Sequence, residues 1–258
     1  MLEVAIKAAK KAGAFIKENY KNENLVSYKD PHNIVSEVDV EAESLILYTL
    51  QKAFPRHSFF SEEKGMIDNR SDYLWIIDPL DGTTNFTHHF PHFCVSIALT
   101  HKGEAMLGVI YQPMQNELFA AQKGKGSSLN GNHLTINNGV ALEKTVLIIN
   151  RGASKKEKLR HGDMVKLMSD YSRSIRVFGS TALDLCYVAS GKFDVFMQNG
   201  CMAYDCAAGG LIAKEAGAFI SDFSGNPWRI DMEKANDVLV APPPLHKKLL
   251  AILKNAHA

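Results

Sequence analysis

This sequence lacks long apolar runs, CxxC cysteine motifs and an excess of charge of one sign. No apolar stretch approaches the roughly 20 residues that a membrane span needs, so we expect no membrane segment. The net charge is +1 over 258 residues, and the basic residues form no stripe, which argues against direct nucleic-acid binding. Lysines interrupt the apolar positions of the first 20 residues, and such a pattern is not typical of a signal peptide.

Cysteine is scarce, and its spacing contains no CxxC pair. The four cysteines are Cys94, Cys186, Cys201 and Cys206. We expect them to be reduced thiols of a cytoplasmic protein and not a disulfide framework. The composition is otherwise that of an ordinary globular protein, with 46% hydrophobic and 22% charged residues. A chain of this length can form one large domain or two tightly joined halves.

The apolar pattern changes character along the chain. Helical spacing predicts a first helix within residues 1–20 and a second helix after Asp39. Short strands at 57–60 and 73–77 and two hairpins within 93–132 follow. From about residue 141 strands alternate with helices, so we expect a layered α+β fold in a single domain over 1–258. Its two halves, 1–140 and 141–258, would meet near residue 140.

Acidic residues stand at predicted strand ends and helix starts. They are Asp39, Glu62, Glu63, Asp78, Asp81 and Asp205. Buried carboxylates cost several kcal/mol each unless something neutralises them. Hard divalent cations such as Mg²⁺ prefer carboxylate and carbonyl oxygens, so these residues predict a metal site.

The stretch WIIDPLDGTTNF, residues 75–86, concentrates this chemistry. Proline stiffens the turn between Asp78 and Asp81, so that the two carboxylates could bridge two ions. Gly82 permits a close backbone approach, and Thr83 and Thr84 could begin a helix. The N-terminus of a helix attracts phosphate through its free N–H groups and its dipole. Cations beside phosphate-binding amides are what metal-assisted phosphoryl transfer to water requires.

Simpler interpretations exist for each part. Asp-Pro-x-Asp-Gly is also a good turn sequence, Glu62 and Glu63 could be exposed loop acids, and Asp39 and Asp205 could be helix N-caps. The three histidines of residues 87–92 fit no familiar zinc pattern, and Gly-Lys-Gly at 124–126 is too short for a phosphate loop. Haloacid dehalogenase-like phosphatases separate two acids by one residue, whereas two residues separate Asp78 from Asp81, which favours metal ligation over covalent catalysis.

The stretch DPLDGTTNF resembles the signature of the inositol monophosphatase family, part of the lithium-sensitive, magnesium-dependent sugar-phosphatase superfamily. Further blocks match in the right order: NIVSEVD at 33–39, SEE at 61–63, GSTALDLCYVASGKFD at 179–194 and YDCAAGGLIAKEAGA at 204–218. The resemblance covers essentially the whole chain. It implies a layered α-β-α-β-α sandwich of the inositol monophosphatase / fructose-1,6-bisphosphatase type, two to three Mg²⁺ ions, lithium sensitivity and a homodimer.

The resemblance also implies a role for individual residues. Glu62, Asp78 and the carbonyl of Leu80 would bind one Mg²⁺, and Asp78, Asp81 and Asp205 a second. A third, weaker ion would depend on Glu62 and water. Gly82 and Thr83 would bind the phosphate through backbone N–H groups, and Thr83 with Asp39 would position and deprotonate the attacking water. Glu63 would at most support these ligands from behind. The substrate would contact Gly179, Ser180, Thr181, Gln198 and Asp205.

Three positions depart from the family pattern. Asn33 stands where Asp is usual, Tyr204 where Trp is frequent, and Gln198 where inositol monophosphatases commonly have a Glu that contacts a sugar hydroxyl. The expected activity is therefore hydrolysis of a phosphate monoester, with inositol 1-phosphate as the first choice. Fructose-1,6-bisphosphatase, histidinol phosphatase and 3'-phosphonucleotide phosphatase activities stay open. So does a function of another class, a protein partner of the transcription machinery.

Overall fold

Strands and helices follow one another along nearly the whole chain, of which the computed structural model describes residues 1–22, 26–30 and 33–256. The helices are α1 Leu2–Asn19, α2 Glu37–Ala53, α3 Thr83–Thr87, α4 Lys155–Ser169, α5 Thr181–Ala189, α6 Ala203–Glu215 and α7 Pro243–Ala256. The strands are β1 Val26–Asp30, β2 Asn33–Ser36, β3 Ser58–Ser61, β4 Gly65–Ile67, β5 Tyr73–Asp81, β6 Cys94–His101, β7 Glu104–Gln112, β8 Glu117–Gln122, β9 Ser127–Leu129, β10 Asn132–His133, β11 Val146–Arg151, β12 Ser174–Arg176, β13 Val195–Cys201, β14 Phe219–Ser221 and β15 Asn236–Ala241.

The strands form two large sheets and one hairpin. The larger sheet has the order β10-β9-β8-β7-β6-β5-β3-β4, and it is antiparallel except where β3 runs parallel to β5. The smaller sheet has the order β12-β11-β13-β15-β14, with β12, β11 and β13 parallel and the other pairings antiparallel. Strands β1 and β2 pair only with each other.

Three apolar cores fill the spaces between layers. One lies between α1, α2 and the outer face of the larger sheet, and includes Trp75 and Ile77 of β5. The second surrounds α5 and α6 between the two sheets and includes Ile76, on the opposite face of the same strand. The third packs α4 and α7 on the far face of the smaller sheet. These layers confirm the predicted α-β-α-β-α sandwich.

The middle layer owes its tight packing to glycines. At Gly108 of β7 a Cβ atom would stand 2.7 Å from the backbone oxygen of Ala208, so the backbone of α6 rests directly on the sheet. At Gly209 a Cβ would stand 2.8 Å from the Cβ of Leu185, so α5 and α6 also pack closely. Contacts this short leave no room for any larger residue.

Most predicted elements form within a few residues of their expected positions, and the differences fall at element ends. Helix α2 begins at Glu37, so Asp39 lies inside the first turn instead of preceding the helix as a cap. Strand β5 continues to Asp81, with a register irregularity between Asp78 and Asp81, where the sequence predicts a turn. The short strands β4 and β14, three residues each, have too few residues to show a pattern.

The expectation of four reduced cysteines is wrong for two of them. The structure pairs Cys201 with Cys206 in a disulfide, while Cys94 and Cys186 are free and buried. Cys201 ends β13 and Cys206 lies in the first turn of α6, so the fold-back between these two elements brings the sulfur atoms together. A five-residue separation gives no such signal in the sequence, and the cysteines no longer argue for a reducing compartment.

Within the described residues, no helix has both the length and the apolar content to cross a membrane. The division of 1–258 into two halves of one domain stays a prediction.

Candidate active site

The end of β5 places the first acidic residue. Trp75, Ile76 and Ile77 are fully or almost fully buried because helices cover both faces of this central strand. Side chains alternate along a strand, so Asp78 points to the same side as Ile76, toward the middle layer in which α5 and α6 begin. The Asp78 carboxylate is 1% exposed and accepts a hydrogen bond of 3.0 Å from the N–H of Leu80.

The N-terminus of α5 holds the second acidic residue. The carboxylate of Asp81 accepts hydrogen bonds from the Ser180 hydroxyl at 2.6 Å and from the N–H groups of Thr181 at 3.2 Å and Ala182 at 2.8 Å. These N–H groups belong to the first turn of α5, where no partner inside the helix exists. Asp81 therefore accepts hydrogen bonds from the free N–H groups at the start of α5, as a bound anion would.

The third acidic residue comes from the first turn of α6. Asp205 accepts a hydrogen bond of 3.2 Å from the N–H of Met202. One carboxylate oxygen each from Asp78, Asp81 and Asp205 lies within 4.8 Å of the others. The strand end and the two helix starts thus converge on one cluster of carboxylates. Asp205 is not an N-cap: Met202 precedes α6, and Asp205, its third residue, accepts a hydrogen bond from Met202 while it also faces the cluster.

The cluster is electrostatically unfavourable without a cation. Burial raises the pKa of Asp78 well above its ordinary value, and the charges of Glu62, Asp81 and Asp205 raise it further. Burial likewise raises the pKa of Asp205, with Asp81 and Glu62 adding to the effect. For Asp81 burial outweighs the helpful hydrogen bonds from Ser180 and Ala182, and the pKa rises to about 6. A group of oxygen ligands with this much uncompensated charge suits a hard divalent cation such as Mg²⁺.

A cavity of about 260 Å³ opens over the cluster. Its lining includes most of the predicted residues, namely Glu62, Asp78, Leu80, Asp81, Gly82, Thr83, Gly179, Thr181, Gln198 and Asp205. Glu63 does not line it: the N–H of Glu63 donates to the Glu43 carboxylate on α2 at 3.1 Å. The structure therefore separates Glu62 from Glu63, although both lie in the turn after β3 and not in the strand itself.

Asp39 and Ser180 lie behind the cavity wall. Asp39 is 1% exposed and reaches the cavity through Thr83, whose hydroxyl oxygen lies 2.9 Å from the Asp39 carboxylate and 3.0 Å from the Leu80 carbonyl oxygen. Ser180 is fully buried, and its hydroxyl donates to Asp81. This corrects the expectation that Ser180 contacts a substrate: its side chain supports a carboxylate of the cluster instead.

Helix α3 begins at the cavity. Gly82 precedes it with φ +96°, and a Cβ there would stand 3.0 Å from the carbonyl oxygen of His92 and 3.2 Å from the Cβ of Phe93. Only glycine combines this backbone conformation with this contact. The first N–H groups of α3 have no acceptor inside the helix, so they are available to an anion at the carboxylate cluster.

A buried polar network supports the wall behind α5. The imidazole of His92 lies 2.8 Å from the carboxylate of Asp184, which also accepts a hydrogen bond of 2.7 Å from the side chain of Asn150. His92 is thus buried, while His88 and His89 are exposed. Among the described residues the carboxylate cluster is the only group of potential metal ligands found, and it includes none of these histidines.

Two kinds of cavity residue carry little or no signal in the sequence. Gly152, Gly200 and Met202 line the cavity through short segments at strand ends, where neither motif nor periodicity marks them. Arg151, the last residue of β11, also lines it. A cation directly after the apolar run TVLIIN was the available signal, because the ends of strands are where ligands bind in α/β sheets.

Comparisons with known proteins agree on one family. Residues 1–258 match the sequence profile described as "Inositol monophosphatase family". The chain is 38% identical over 259 aligned residues to "Nus factor SuhB" of Escherichia coli (strain K12), covering 99% of this chain and 96% of that one.

Solved structures are similar as well. An inositol monophosphatase from Anabaena (Nostoc) sp. PCC 7120 superposes with a TM-score of 0.88 at 30% identity, covering 98% of this chain and 95% of that one. A protein described as "inositol monophosphatase-fructose 1,6 bisphosphatase" gives a TM-score of 0.84 at 28% identity, covering 97% and 98% of the two chains. Fold and sequence therefore point the same way.

The raised pKa values predict how pH affects the metal-free protein. A carboxyl whose pKa is higher in the folded than in the unfolded state stabilises the fold below the unfolded value, and this stability is lost as pH rises through the folded value. For Asp81 the folded value is about 6, and Asp78 and Asp205 are shifted in the same direction. In EDTA, the Tm should be about 3 °C or more higher at pH 5 than at pH 8.

Differential scanning fluorimetry at both pH values, with EDTA and with Mg²⁺, measures this. Mg²⁺ should raise the Tm more at pH 8 than at pH 5, because the ion competes with protons for the same oxygens. A Tm that rises from pH 5 to pH 8 in EDTA and does not change when Mg²⁺ is added would contradict this account of the cluster.

Proposed function

Because the chain belongs to the inositol monophosphatase family, we propose that it is a Mg²⁺-dependent phosphatase that hydrolyses inositol 1-phosphate or a related sugar phosphate. The observation that carries the proposal is the convergence of the carboxylates of Asp78, Asp81 and Asp205 within 4.8 Å, beside the N-terminus of α3. Carboxylates alone would repel a phosphate ester. Carboxylates that hold cations, next to free N–H groups, would bind one.

The family resemblance supplies the proposed ligands, and all of them line the cavity. Glu62, Asp78 and the carbonyl oxygen of Leu80 would hold one Mg²⁺, and Asp78, Asp81 and Asp205 a second. A third ion, bound more weakly, would depend on Glu62. When bound, such ions neutralise the phosphate, lower the pKa of water and stabilise the leaving oxygen.

The chain's own groups would bind the phosphate and move the proton. The N–H groups of Gly82 and Thr83 at the start of α3 would donate to phosphate oxygens. The hydroxyl of Thr83 is placed to donate to Asp39 at 2.9 Å, which leaves its oxygen free to accept a proton from an attacking water. As Thr83 accepts that proton, its own hydroxyl proton would pass to Asp39, which is buried behind it. No covalent intermediate with the protein is needed.

The remaining cavity residues would orient the alcohol part of the substrate. Gly179, Thr181 and Gln198 lie along one wall, with the Thr181 hydroxyl donating to the Gln198 side-chain oxygen at 2.7 Å. Asp205 completes that wall from α6. We further propose a single domain over residues 1–258, a homodimer and a cytoplasmic location. Fructose-1,6-bisphosphate is the main alternative substrate, since a structural relative carries that activity in its description.

Replacing Asp78 tests the proposed bridging role. Asp78→Asn removes one charge from the crowded cluster, so the protein should stay folded while phosphatase activity falls at least about 100-fold. The measurement is kcat/KM for inositol 1-phosphate with saturating Mg²⁺, with circular dichroism as the check on folding. Asp163→Asn, an exposed aspartate of α4, serves as the matched control and should keep its activity. Near-normal turnover of Asp78→Asn would exclude the bridging role.

Glu62 and Glu63 provide a second test from adjacent positions. Glu62→Gln should shift the Mg²⁺ concentration for half-maximal activity strongly upward, because Glu62 lines the cavity. Glu63→Gln should shift it only slightly, because its backbone turns toward α2. Mg²⁺ titrations of both variants measure this, and equal shifts would contradict the ligand assignment.

A second function is favoured by the name of a relative. A 38% identical protein that aligns over 96% of its length is named a Nus factor, and that name denotes a role with the transcription machinery. It counts against excluding nucleic-acid contact on net charge alone. We expect tagged Asp78→Asn protein to capture RNA polymerase subunits as well as the wild type does if this function is present and independent of catalysis. Capture that requires added RNA would indicate direct RNA binding. If neither the wild type nor Asp78→Asn captures polymerase subunits, this second function is rejected.

A further inference from the structure

One cation lines a cavity that is otherwise acidic or neutral. Glu62, Asp78, Asp81 and Asp205 supply its carboxylates, and Arg151 is the single lysine or arginine among its lining residues in the described part of the chain. Arg151 is exposed, and no side-chain hydrogen bond or ion pair of it is found with the described residues. Arg151 therefore adds a positive charge, without a partner among the described residues, to the lining of a cavity of about 260 Å³.

Neutralising the carboxylates does not explain Arg151. Under the proposed function two or more divalent cations already balance the four acidic side chains. A guanidinium in the same small cavity then adds positive charge to a site occupied by cations, which is unfavourable at short range. The arrangement is favourable only when a further anionic group lies between Arg151 and the ions, or beside Arg151.

The backbone around Arg151 is held firmly. The chain turns from β11 into α4 through a capping box, in which the Ser154 N–H donates to Glu157 at 2.8 Å and the Glu157 N–H donates to Ser154 at 3.2 Å. The Glu157 carboxylate packs against Gly152 and Gly200, where an added Cβ would approach it to 2.4 and 2.2 Å. Arg151 therefore projects from a fixed point of the cavity wall.

Gln198 adds donors to the same cavity. Its side-chain oxygen accepts the Thr181 hydroxyl at 2.7 Å, and its NH₂ group offers two further donors. Gln198 is only 4% exposed and lines the cavity, where its NH₂ group can donate to a bound group. A guanidinium and an amide NH₂ both donate hydrogen bonds and cannot accept them. They match phosphate or carboxylate oxygens better than hydroxyl groups that need an acceptor.

We propose that Arg151 is a specificity-determining residue that binds a second anionic group of the substrate, a phosphate or a carboxylate remote from the ester that is cleaved. Gln198 donates to the same group or to an acceptor next to it. This inference rests on the proposed function and deepens it: the preferred substrates are phosphate monoesters that carry a second negative group. Guanidinium groups bind such oxygens in a bidentate, charge-assisted manner.

Two sugar phosphates that differ by one phosphate provide the test. Fructose 1-phosphate and fructose 1,6-bisphosphate share the ester at carbon 1, so the ratio of their kcat/KM values for release of that phosphate isolates the second group. The wild type should prefer the bisphosphate. Arg151→Gln should lower the ratio by about tenfold, mainly through the KM of the bisphosphate. Arg151→Lys should lower it by less, because lysine keeps the positive charge and loses only the paired N–H donors of the guanidinium.

Two further variants sharpen the comparison. Arg229→Gln removes the same charge from an exposed arginine that lines a different cavity, and it should leave the ratio unchanged. Gln198→Glu places a carboxylate beside the second anion and should lower the ratio by repulsion. High salt should reduce the preference of the wild type and change that of Arg151→Gln less.

The outcomes separate this inference from the proposed function. If fructose 1-phosphate is hydrolysed but Arg151→Gln leaves the ratio as in the wild type, the inference is overturned and the phosphatase stands. If neither ester is hydrolysed by the wild type, the proposed function fails for these substrates, and calorimetric Kd values for both compounds with Mg²⁺ decide about Arg151. Tighter binding of the bisphosphate that Arg151→Gln abolishes supports the second-anion site. Equal Kd values overturn it.

Discussion

Mutual repulsion among buried carboxylates is the constraint on which this architecture depends. Asp78 and Asp81 come from the end of β5 and Asp205 from the start of α6, and each would be costly to bury alone. The central position of β5 fixes Asp78, and the N–H groups at the start of α5 fix Asp81. The larger sheet thus contributes two acids at the end of β5, and the middle layer contributes the third acid and the N–H partners of Asp81.

Much of the fold could be predicted because periodicity is a local signal. The helical face of α1 and the apolar runs of β6, β7 and β11 are visible in the sequence, and their boundaries differ from the structure by a few residues at most. Strands β4 and β14 could not be predicted, since three residues are too few to establish an alternating pattern. Nor could the disulfide between Cys201 and Cys206, which depends on how the end of β13 meets the start of α6.

Some residues of the candidate site could likewise be predicted from the sequence, and others could not. Residues in contiguous motifs, such as Asp78, Asp81 and Gly82, were found from the sequence because their chemistry and spacing occur together. Ser180 was misjudged, since its motif does not show that the hydroxyl points back to Asp81. Arg151 was missed altogether. Its position directly after an apolar run is the one local signal, and that signal does not show how the turn from β11 into α4 brings Arg151 to the cavity.

Gly108 lies outside the cavity, yet it sets the height at which α6 rests on the larger sheet. A helix moves as a rigid rod, so a methyl group at this point would lift the rod and carry Asp205, three residues before the contact at Ala208, away from the end of β5. The position of Asp205 in the cluster therefore depends partly on the lack of a side chain at Gly108. A directed-evolution library that keeps only the cavity residues constant would therefore produce inactive variants with substitutions at residue 108. A homologue with a larger residue at this position should have a carboxylate cluster of different geometry.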